Sequence, residues 1–395
     1  MIILRYWSTF AAIMKILFVL NAMYVKGQGI SQSALITSTY LKMAGIDVRV
    51  LTMEMPGSDC PKPDYPMKKF HFPLFQKLIE SQGFCYASSH RKQIREAVAW
   101  ADVIHVMEPF VLERKALVEA KKQGKACVAT YHLHPENILS SLGMGSWKFA
   151  NNLLLKFFVK CFFNCCSDVQ CPSDNVVKRL NNFGFNGSAH RISNGIEIED
   201  NIVPAVPQTD PYIVVCVGRF SLEKDQQTLI KAMPLCRHKD EIQFVFAGKG
   251  PKQAEYERTT NKYFISGILK HKPQYRFCSK SELKELVRKS YLAIHCATIE
   301  VEGLSIMDAA CQGTIPVVAD CSISAASQFT LSPESRFPVR DAKTLAERID
   351  WWIEHPTERK EMSSRYIGEM KKYDINKSIV QLIDMYQLAF NKIRQ

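Results

Sequence analysis

Short apolar runs alternate along the chain with stretches of helical periodicity. Residues 16–21, 48–52, 101–106 and 126–131 are apolar runs bounded by polar or turn residues, a pattern typical of strands buried in a parallel sheet. The second half repeats the alternation, beginning with the run 213–218. Strands that alternate with helices predict an α/β fold with doubly wound parallel sheets.

The length of 395 residues predicts two domains. A Pro-rich segment at 203–211 favours a boundary there. We therefore predict an N-terminal domain at 1–205, a C-terminal domain at 206–375 and a last amphipathic helix at 376–395. Residues 1–13 are interpreted as an extension, because Met14-Lys15-Ile16 resembles a natural start.

The net charge of +12 indicates an anionic partner. Zinc-finger spacings and RNA-binding motifs are absent from the sequence, which argues against nucleic acid. The 13 cysteines are scattered, mostly in apolar runs, without metal-ligand spacing. This usage favours reduced thiols in a cytoplasmic protein. The sequence contains no run of about twenty apolar residues, so we predict no membrane-spanning helix.

The segment 291–320 has the order strand, acidic loop, helix, strand. Glu300 follows the first strand, Gly303 and Leu304 open the helix, and Asp308 lies one turn into it. Open α/β sheets bind ligands at the carboxyl ends of their strands. The two carboxylates are therefore candidate ligand-binding groups, although an ordinary strand-helix-strand unit with solvated acids would give the same pattern.

Two further loops carry candidate chemistry. Gly218 and Arg219 follow a predicted strand, with Lys224 five residues later. Arg and Lys at such a place suit a diphosphate, and fixed cations there would stabilise a leaving group whose charge grows in the transition state. Gly248 and Gly250 form a tight loop after the next strand.

The first strand leads into a glycine-containing loop with Gly27 and Gly29, before a helix that Ser31 is predicted to cap. Backbone N–H groups at such a helix start can bind a phosphate. A dinucleotide-binding turn is the alternative, but Gln32 stands where that motif requires its third glycine.

The spacing of Glu300 and Asp308 resembles the E-x7-E segment of retaining GT-B glycosyltransferases of family 4. The resemblance implies that Glu300 contacts donor-sugar hydroxyls and Asp308 the nucleotide ribose. Asp308 replaces the usual Glu, and Val301 and Glu302 replace a usual Gly and aromatic residue.

The other candidate positions also match this family. Arg219 and Lys224 would bind the diphosphate as catalytic groups, and Gly29, Gly218, Gly248, Gly250, Gly303 and Leu304 would line the donor site. The implied fold is GT-B, with two Rossmann-like doubly wound domains facing each other across a cleft.

His132 ends a first-domain strand, at the position of a family histidine that lies beside the sugar. A lone histidine is more often structural, but the strand-end placement favours a positioning and electrostatic role. The resemblance implies retention without a covalent intermediate. No Asp-x-Asp motif is present, and we predict neither a required divalent metal nor a cofactor beyond the nucleotide-sugar substrate.

Residues 130–138, TYHLHPENI, resemble a segment of bacterial diacylglycerol glucosyltransferases and related glycolipid synthases. The resemblance implies transfer of a hexose, with a UDP-sugar favoured, to a lipid hydroxyl such as that of diacylglycerol or ceramide. Three alternatives remain open: a soluble or polyprenyl-linked glycan acceptor, a GT-B sugar-nucleotide epimerase, and a non-enzymatic nucleotide sensor. An epimerase would need further acid/base carboxylates in the first domain. For a retaining mechanism with a carboxylate nucleophile, Glu108 and Glu136 are the first-domain carboxylates near strand ends, and neither is placed convincingly for that role.

The segment 147–166 is basic and aromatic. On a helical wheel Lys156 and Lys160 share one face, whereas Trp147 and Phe158 lie on the other. Such a helix suits insertion at an anionic membrane surface, which would place the protein peripherally on the cytoplasmic face of the cell membrane. The alternative is a buried core helix with two snorkelling lysines.

Overall fold

The computed structural model of the chain describes residues 14–25, 29–55, 57, 60–72, 76, 84–140, 143–199, 204 and 206–394. Two compact units divide it: one runs up to Gly195 and resumes at Ile375, and the other is Ile196–Asp374. The described part of the Pro-rich segment, residues 204 and 206–211, belongs to the second unit. The extension predicted at 1–13 and the glycine at position 27 lie outside the described residues.

A parallel sheet forms the centre of the first unit. The strands described in this unit are β1 (Lys15–Val19), β2 (Asp47–Met53), β3 (Tyr65–Met67), β4 (Lys69–Phe70), β5 (Tyr86–Ala87), β6 (Val103–Val106), β7 (Ala126–Thr130), β8 (Asp168–Cys171) and β9 (Ser188–Arg191). Seven of them pair in parallel in the order β3-β2-β1-β6-β7-β8-β9, while β4 and β5 form a separate antiparallel pair. The central strands β6 and β7 are buried along their whole length, as the apolar runs predict.

Helices connect these strands. They are α1 (Gly29–Met43), α2 (Arg91–Trp100), α3 (Val111–Lys122), α4 (Pro135–Ser140), α5 (Lys148–Cys161) and α6 (Asp174–Asn182). The predicted cap of α1 is wrong, because the helix begins at Gly29 and the Ser31 hydroxyl instead donates to the carbonyl of Ala22 at 2.6 Å. Ser173 does cap α6, accepting from the backbone N–H of Val176.

The second unit has a parallel sheet of its own. Its described strands are β10 (Tyr212–Val217), β11 (Ile242–Ala247), β12 (Gln274–Arg276), β13 (Leu292–His295), β14 (Ile315–Asp320) and β15 (Arg336–Pro338), and they pair in the order β12-β11-β10-β13-β14-β15. The helices are α7 (Gln226–Ala232), α8 (Gln253–Ile265), α9 (Lys280–Lys289), α10 (Leu304–Cys311), α11 (Ala342–Glu354) and α12 (Pro356–Met370). Short 3-10 turns lie at Phe163–Cys165 in the first unit and at Met233–Leu235, Lys239–Glu241, Ala326–Phe329, Pro333–Ser335 and Lys371–Tyr373 in the second.

The last helix, α13 (Ile375–Lys392), packs on the first unit. Its residues Ile379, Leu382 and Tyr386 join the apolar core around β1. The Tyr386 hydroxyl lies 2.7 Å from Nδ1 of the buried His105, and Lys392 Nζ lies 2.8 Å from Oδ1 of Asp168. The helix thus closes the core of a unit whose other elements precede it by nearly two hundred residues. Both units confirm the predicted doubly wound α/β architecture.

Candidate active site

The second sheet reverses its direction of growth between β10 and β13. From β10 the chain adds β11 and β12 on one side, and then crosses to the other side to add β13, β14 and β15. Ligands of open α/β proteins bind at the carboxyl ends of the strands at such a switch point. Gly218 to Lys224 follow β10, and Glu300 follows β13, so the sequence-predicted cations and carboxylate meet at this place.

Lys224 and Glu300 form an ion pair across the switch point, from Nζ to Oε2. Burial raises the pKa of Glu300, but Lys224 and His295 outweigh this and hold it below its ordinary value. Burial lowers the pKa of Lys224, and the charge of Glu300 raises it above the ordinary value overall. Both groups are therefore charged at neutral pH, and each remains partly open to solvent, at 25% and 18% exposure.

Arg219 is half-buried on the loop that also carries Lys224. Its carbonyl accepts a hydrogen bond of 2.7 Å from the Gln226 side chain, which fixes the loop onto the start of α7. Burial lowers the pKa of the guanidinium somewhat, and Glu223 opposes the shift. A guanidinium, which stays charged in this environment, and an ammonium thus stand on one loop, as a diphosphate requires.

Gly248 and Gly250 let two loops approach each other. A Cβ at Gly248 would lie 2.0 Å from the carbonyl oxygen of Gly218, and one at Gly250 would lie 2.3 Å from that of Phe220. The backbone N–H of Phe220 donates to the carbonyl of Lys249 at 3.0 Å. These glycines therefore support the loop that carries Arg219, whatever contact they also make with a donor.

The loop after β13 is fixed by its own backbone. The N–H of Glu300 donates to Ile323 and its carbonyl accepts from Ala325. Gly303, at the N-cap of α10, has a φ of 106°, and a Cβ there would lie 3.1 Å from that of Ala326. Such a left-handed backbone beside a close neighbour favours glycine.

Two other predicted donor residues lie on α10. Leu304, its first residue, is half-buried against the core of the second unit. Asp308 follows one turn later and is exposed. Desolvation by neighbouring protein atoms raises the pKa of the Asp308 carboxyl toward about 6, and the exposure of this side chain to solvent limits that rise. Glu300 and Asp308 are thus carried by a single loop-helix segment, as the sequence predicts.

His132 lies two residues beyond β7 in the first unit and is half-buried. Burial lowers its pKa to about 4, so the ring is neutral at pH 7. The loop around it is held by a second histidine: His134 Nδ1 lies 3.1 Å from the Tyr131 hydroxyl and 3.2 Å from Arg179 Nη1. Arg179 also pairs with Glu136 at 2.5 Å. Glu136 therefore supports the His132 loop as part of an ion pair.

Gly29, the remaining predicted donor-site residue, is the exposed first residue of α1. A Cβ at this position would meet nothing within 4 Å. Packing therefore does not require glycine here.

Sequence reasoning named Glu108 in the first unit but missed Asn21, Glu113 and the contact that joins the two carboxylates. The Asn21 amide nitrogen donates to Glu108 at 3.0 Å and to Glu113 at 2.8 Å. Asn21 and Glu108 follow β1 and β6, the strands at the switch point of the first sheet. Asn21 and Glu108 could have been recognised as a pair from the sequence, because both are polar residues just after strands that are adjacent in the sheet. The sequence of the amphipathic helix α3 does not distinguish Glu113 from a solvated acid.

Burial raises the pKa of Glu113 well above its ordinary value, and the charge of Glu108 raises it further. Burial raises the pKa of Glu108 as well. Glu113 is fully buried, and its Oε2 finds no donor among the described residues. A proton on Glu113, donated to Glu108, would satisfy that oxygen, because two adjacent buried carboxyls resist double ionisation.

We expect Glu113→Gln to stabilise the protein, increasingly so as pH rises. A carboxyl whose pKa is raised by folding costs stability as pH rises from its unfolded pKa to its folded pKa, and Gln cannot ionise. A pKa shift of one corresponds to about 1.4 kcal/mol, which is roughly 3–6 °C in Tm for a domain of this size. Thermal unfolding at pH 5 and pH 8 measures the difference.

Glu119→Gln is the matched control on the same helix, where the side chain accepts from Gln123 in a partly exposed place. It should change Tm little, and equally at both pH values. A Glu113→Gln variant less stable than the wild type at pH 8 would contradict the shared proton.

Helix α5 presents an apolar and basic surface outward. Phe149, Leu153 and Phe157 are spaced four residues apart and are 69%, 60% and 58% exposed. Trp147 at its N-cap is exposed too, as are Lys156 and Lys160. The prediction for Phe158 is wrong, because this ring is 4% exposed and packs inward with Leu155 and Val159. The wheel separated Phe158 from the lysines correctly, but the face that carries Phe158 is buried, as in the alternative of a core helix.

No helix among the described residues is long and apolar enough to cross a membrane. The described residues also contain no group of three or more His, Cys, Asp or Glu side chains that could hold a metal ion.

Comparison with known proteins assigns both units. Residues 27–200 match the family model described as Glycosyltransferase Family 4, and residues 197–367 match that described as Glycosyl transferases group 1. The chain belongs to the group 1/family 4 glycosyltransferases. The family resemblance predicted from the sequence is therefore confirmed for both units.

Several solved structures share the fold. Anabaena Alr3699/HepE, in complex with UDP and glucose, is 17% identical with a TM-score of 0.66, covering 95% of this chain and 99% of the other. Sucrose-phosphate synthase from Thermosynechococcus elongatus is 16% identical with a TM-score of 0.72, covering 96% and 100%. The GT-B fold predicted from the sequence is confirmed.

Curated relatives match shorter stretches of the chain. EpsD of Bacillus subtilis (strain 168), whose name assigns it provisionally to the glycosyltransferases, is 23% identical over 62% of this chain. The gpi3 subunit of the Schizosaccharomyces pombe phosphatidylinositol N-acetylglucosaminyltransferase is 24% identical over 38% of this chain. The chain spans 65% of the first relative and 33% of the second.

Proposed function

We propose that this glycosyltransferase moves a hexose from a nucleoside diphosphate sugar to a lipid hydroxyl, with retention of anomeric configuration. The observation that carries the proposal is the placement of Arg219, Lys224 and Glu300 at the switch point of the second sheet. Two cations suit a diphosphate, and a carboxylate suits a sugar hydroxyl. Asp308, on the adjoining helix, would take the ribose.

In the proposed reaction the bond between the anomeric carbon and the diphosphate oxygen breaks first, and its electron pair stays on the diphosphate. Arg219 and Lys224 stabilise this growing negative charge more than they stabilise the ground state. The acceptor oxygen then bonds to the same face of the anomeric carbon, and its proton passes to the departing phosphate oxygen. His132, neutral at pH 7, positions the reacting groups, and the fixed cations take the part that a divalent metal plays elsewhere.

A UDP-sugar is the favoured donor. HepE was solved with UDP and glucose, and Staphylococcus aureus TarM, a neighbour with a TM-score of 0.71, was solved as a variant with UDP. Both complexes support uridine as the base of the donor. The proposal requires no cofactor beyond the donor.

The outward face of α5 supports a lipid acceptor. Exposed apolar side chains beside Lys156 and Lys160 suit the interface of an anionic membrane, and we place the enzyme peripherally on the cytoplasmic face. The Schizosaccharomyces pombe relative is named for phosphatidylinositol, which is itself a lipid. The same acceptor chemistry, a hydroxyl at the membrane surface, describes diacylglycerol and ceramide.

Product analysis tests this function. The protein is incubated with UDP-glucose and anionic vesicles containing diacylglycerol or ceramide, with and without EDTA. We expect a glucosylated lipid with the α-configuration of the donor, formed at the same rate in EDTA. A β-linked product would contradict retention, and sugar found only on soluble glycans would contradict the lipid acceptor. Loss of turnover in EDTA would contradict metal independence.

A further inference from the structure

Two neighbours of Glu300 converge on one of its oxygens. Lys224 Nζ pairs with Oε2, and His295 Nε2 lies 3.3 Å from the same Oε2. Neither contact uses Oε1. Glu300 is therefore held from one side by two nitrogens, which leaves the other carboxylate oxygen available to a ligand at the carboxyl edge of the sheet.

His295 is built into the floor of this site. It is the last residue of β13, and its side chain is 3% exposed. Its Nε2 makes no full hydrogen bond to any described residue, so Oε2 of Glu300 is the polar group within its reach. A buried ring nitrogen without a partner is unfavourable, and a small movement of Glu300 toward His295 would complete a hydrogen bond.

A bound diphosphate changes which side chains contact the Glu300 carboxylate. The phosphate oxygens compete for Lys224, since an ammonium pairs with phosphate as readily as with carboxylate. Once Nζ turns to the phosphate, Oε2 loses its nearest donor while the carboxylate stays largely buried, at 18% exposure. His295 is then the remaining donor beneath it.

We propose that His295 is a positioning residue, which holds Glu300 through Oε2 after Lys224 has moved to the donor diphosphate and so aims Oε1 at a hexose hydroxyl. The inference rests on the proposed function, and it requires a neutral ring with its hydrogen on Nε2. Burial lowers the pKa of His295, although Glu300 opposes the shift, which agrees with a neutral ring.

The tautomer is measured first, in the free protein. Nitrogen-15 NMR of the histidine rings, with His295→Gln to assign the signal, should show the hydrogen on Nε2 and a shift of that signal in Glu300→Gln. A hydrogen on Nδ1 alone would overturn the inference, whether or not the protein turns over any sugar nucleotide. If instead the proposed function is wrong, the wild-type protein should neither bind nor hydrolyse UDP-glucose.

Binding and turnover supply the second test. His295→Leu should leave the affinity for UDP unchanged, because Arg219 and Lys224 hold the diphosphate. It should lower kcat about tenfold. It should also lower the affinity for UDP-glucose about tenfold relative to the affinity for UDP. Both losses lie within the range of coupling energies measured between neighbouring residues. His295→Gln places an amide nitrogen near the position of Nε2 and should restore most of both.

A purely structural histidine predicts a different result. Leu would then alter Tm but leave kcat and the ratio of the two affinities unchanged, and this outcome would overturn the inference. The effect of His295→Leu should also vanish in a Glu300→Gln background, because the residue acts through that carboxylate. Additive losses in the double variant would contradict the proposal.

Discussion

Replacing either cation at the switch point is expected to lower kcat by about 100- to 1,000-fold, the usual cost of removing one group that stabilises developing charge. Arg219→Ala removes a guanidinium from the leaving diphosphate, and Lys224→Ala removes an ammonium. Glu300→Gln should cost a similar factor by misplacing the hexose. Initial rates of UDP release at saturating UDP-glucose and acceptor measure all three.

Lys289→Ala is the control for a general loss of basic charge. Lys289 ends α9 just before β13, at the amino edge of the same sheet, and pairs with Glu285 in an exposed place. It should keep the wild-type rate. Near-normal kcat in all three site variants, or an equal loss in Lys289→Ala, would remove the donor-site assignment.

The ion pair complicates the lysine variant. Without Lys224, His295 is the charged or polar side chain that remains beside the Glu300 carboxylate among the described residues. Lys224→Ala therefore also leaves a largely buried carboxylate poorly compensated. A cycle with Glu300→Gln separates the two effects. We expect the double variant to lose less than the sum of the single losses, because one part of the Lys224→Ala penalty disappears with the charge of Glu300.

Strand ends were the most predictable part of the site. Arg219, Lys224 and Glu300 could be placed from the sequence because apolar runs locate the buried strands, and loops at their carboxyl ends meet at one edge of a parallel sheet. Their pairing could not be predicted. Lys224 and Glu300 are 76 residues apart, and the direction of each side chain depends on a loop backbone that no periodicity describes.

Buried polar groups at these edges were harder to recognise. His295 ends an apolar run and passes for part of the strand, since its role depends on a carboxylate in the following loop. Glu113 occupies a helix whose other acidic residue, Glu119, is partly exposed. A charged residue on an amphipathic helix is ordinarily solvated, so tertiary packing alone identifies the one that is buried.

The phase of α5 shows a different limit. A helical wheel finds the buried stripe when one face is apolar and the other polar, but this helix carries large apolar residues on both faces. The wheel correctly placed Phe158 opposite the lysines, but it could not show that this face is the buried one and that Phe157 lies on the exposed face with the lysines. The lysines were placed correctly because burying an unpaired ammonium is far more costly than exposing a ring.

Removing the exposed apolar row of α5 is expected to lower vesicle affinity about 100-fold. Burying a large apolar side chain is worth about 1.5–3 kcal/mol when complete. Phe149, Leu153 and Phe157 are each more than half exposed, so each should contribute about 1 kcal/mol, and each 1.4 kcal/mol is tenfold in affinity. A Phe149→Ser, Leu153→Ser, Phe157→Ser triple variant, compared with the wild type by vesicle sedimentation, measures the loss.

Charge reversal on the same helix separates electrostatic from apolar attraction. Lys156→Glu with Lys160→Glu should weaken binding to anionic vesicles by at least about 2 kcal/mol, at roughly 1 kcal/mol per basic residue, and the difference should shrink in high salt. The apolar contribution should persist in high salt.

Ile265→Ser is the control for exposed apolar surface in general, since Ile265 is 83% exposed at the end of α8 in the second unit. It should bind as the wild type does, and all variants should keep the wild-type Tm because the altered side chains lie outside the core. Equal vesicle binding by the triple variant and the wild type would exclude α5 as the membrane contact. A soluble acceptor would then be favoured, while the assignments at Arg219, Lys224 and Glu300 would stand, because they depend on the geometry of the second unit alone.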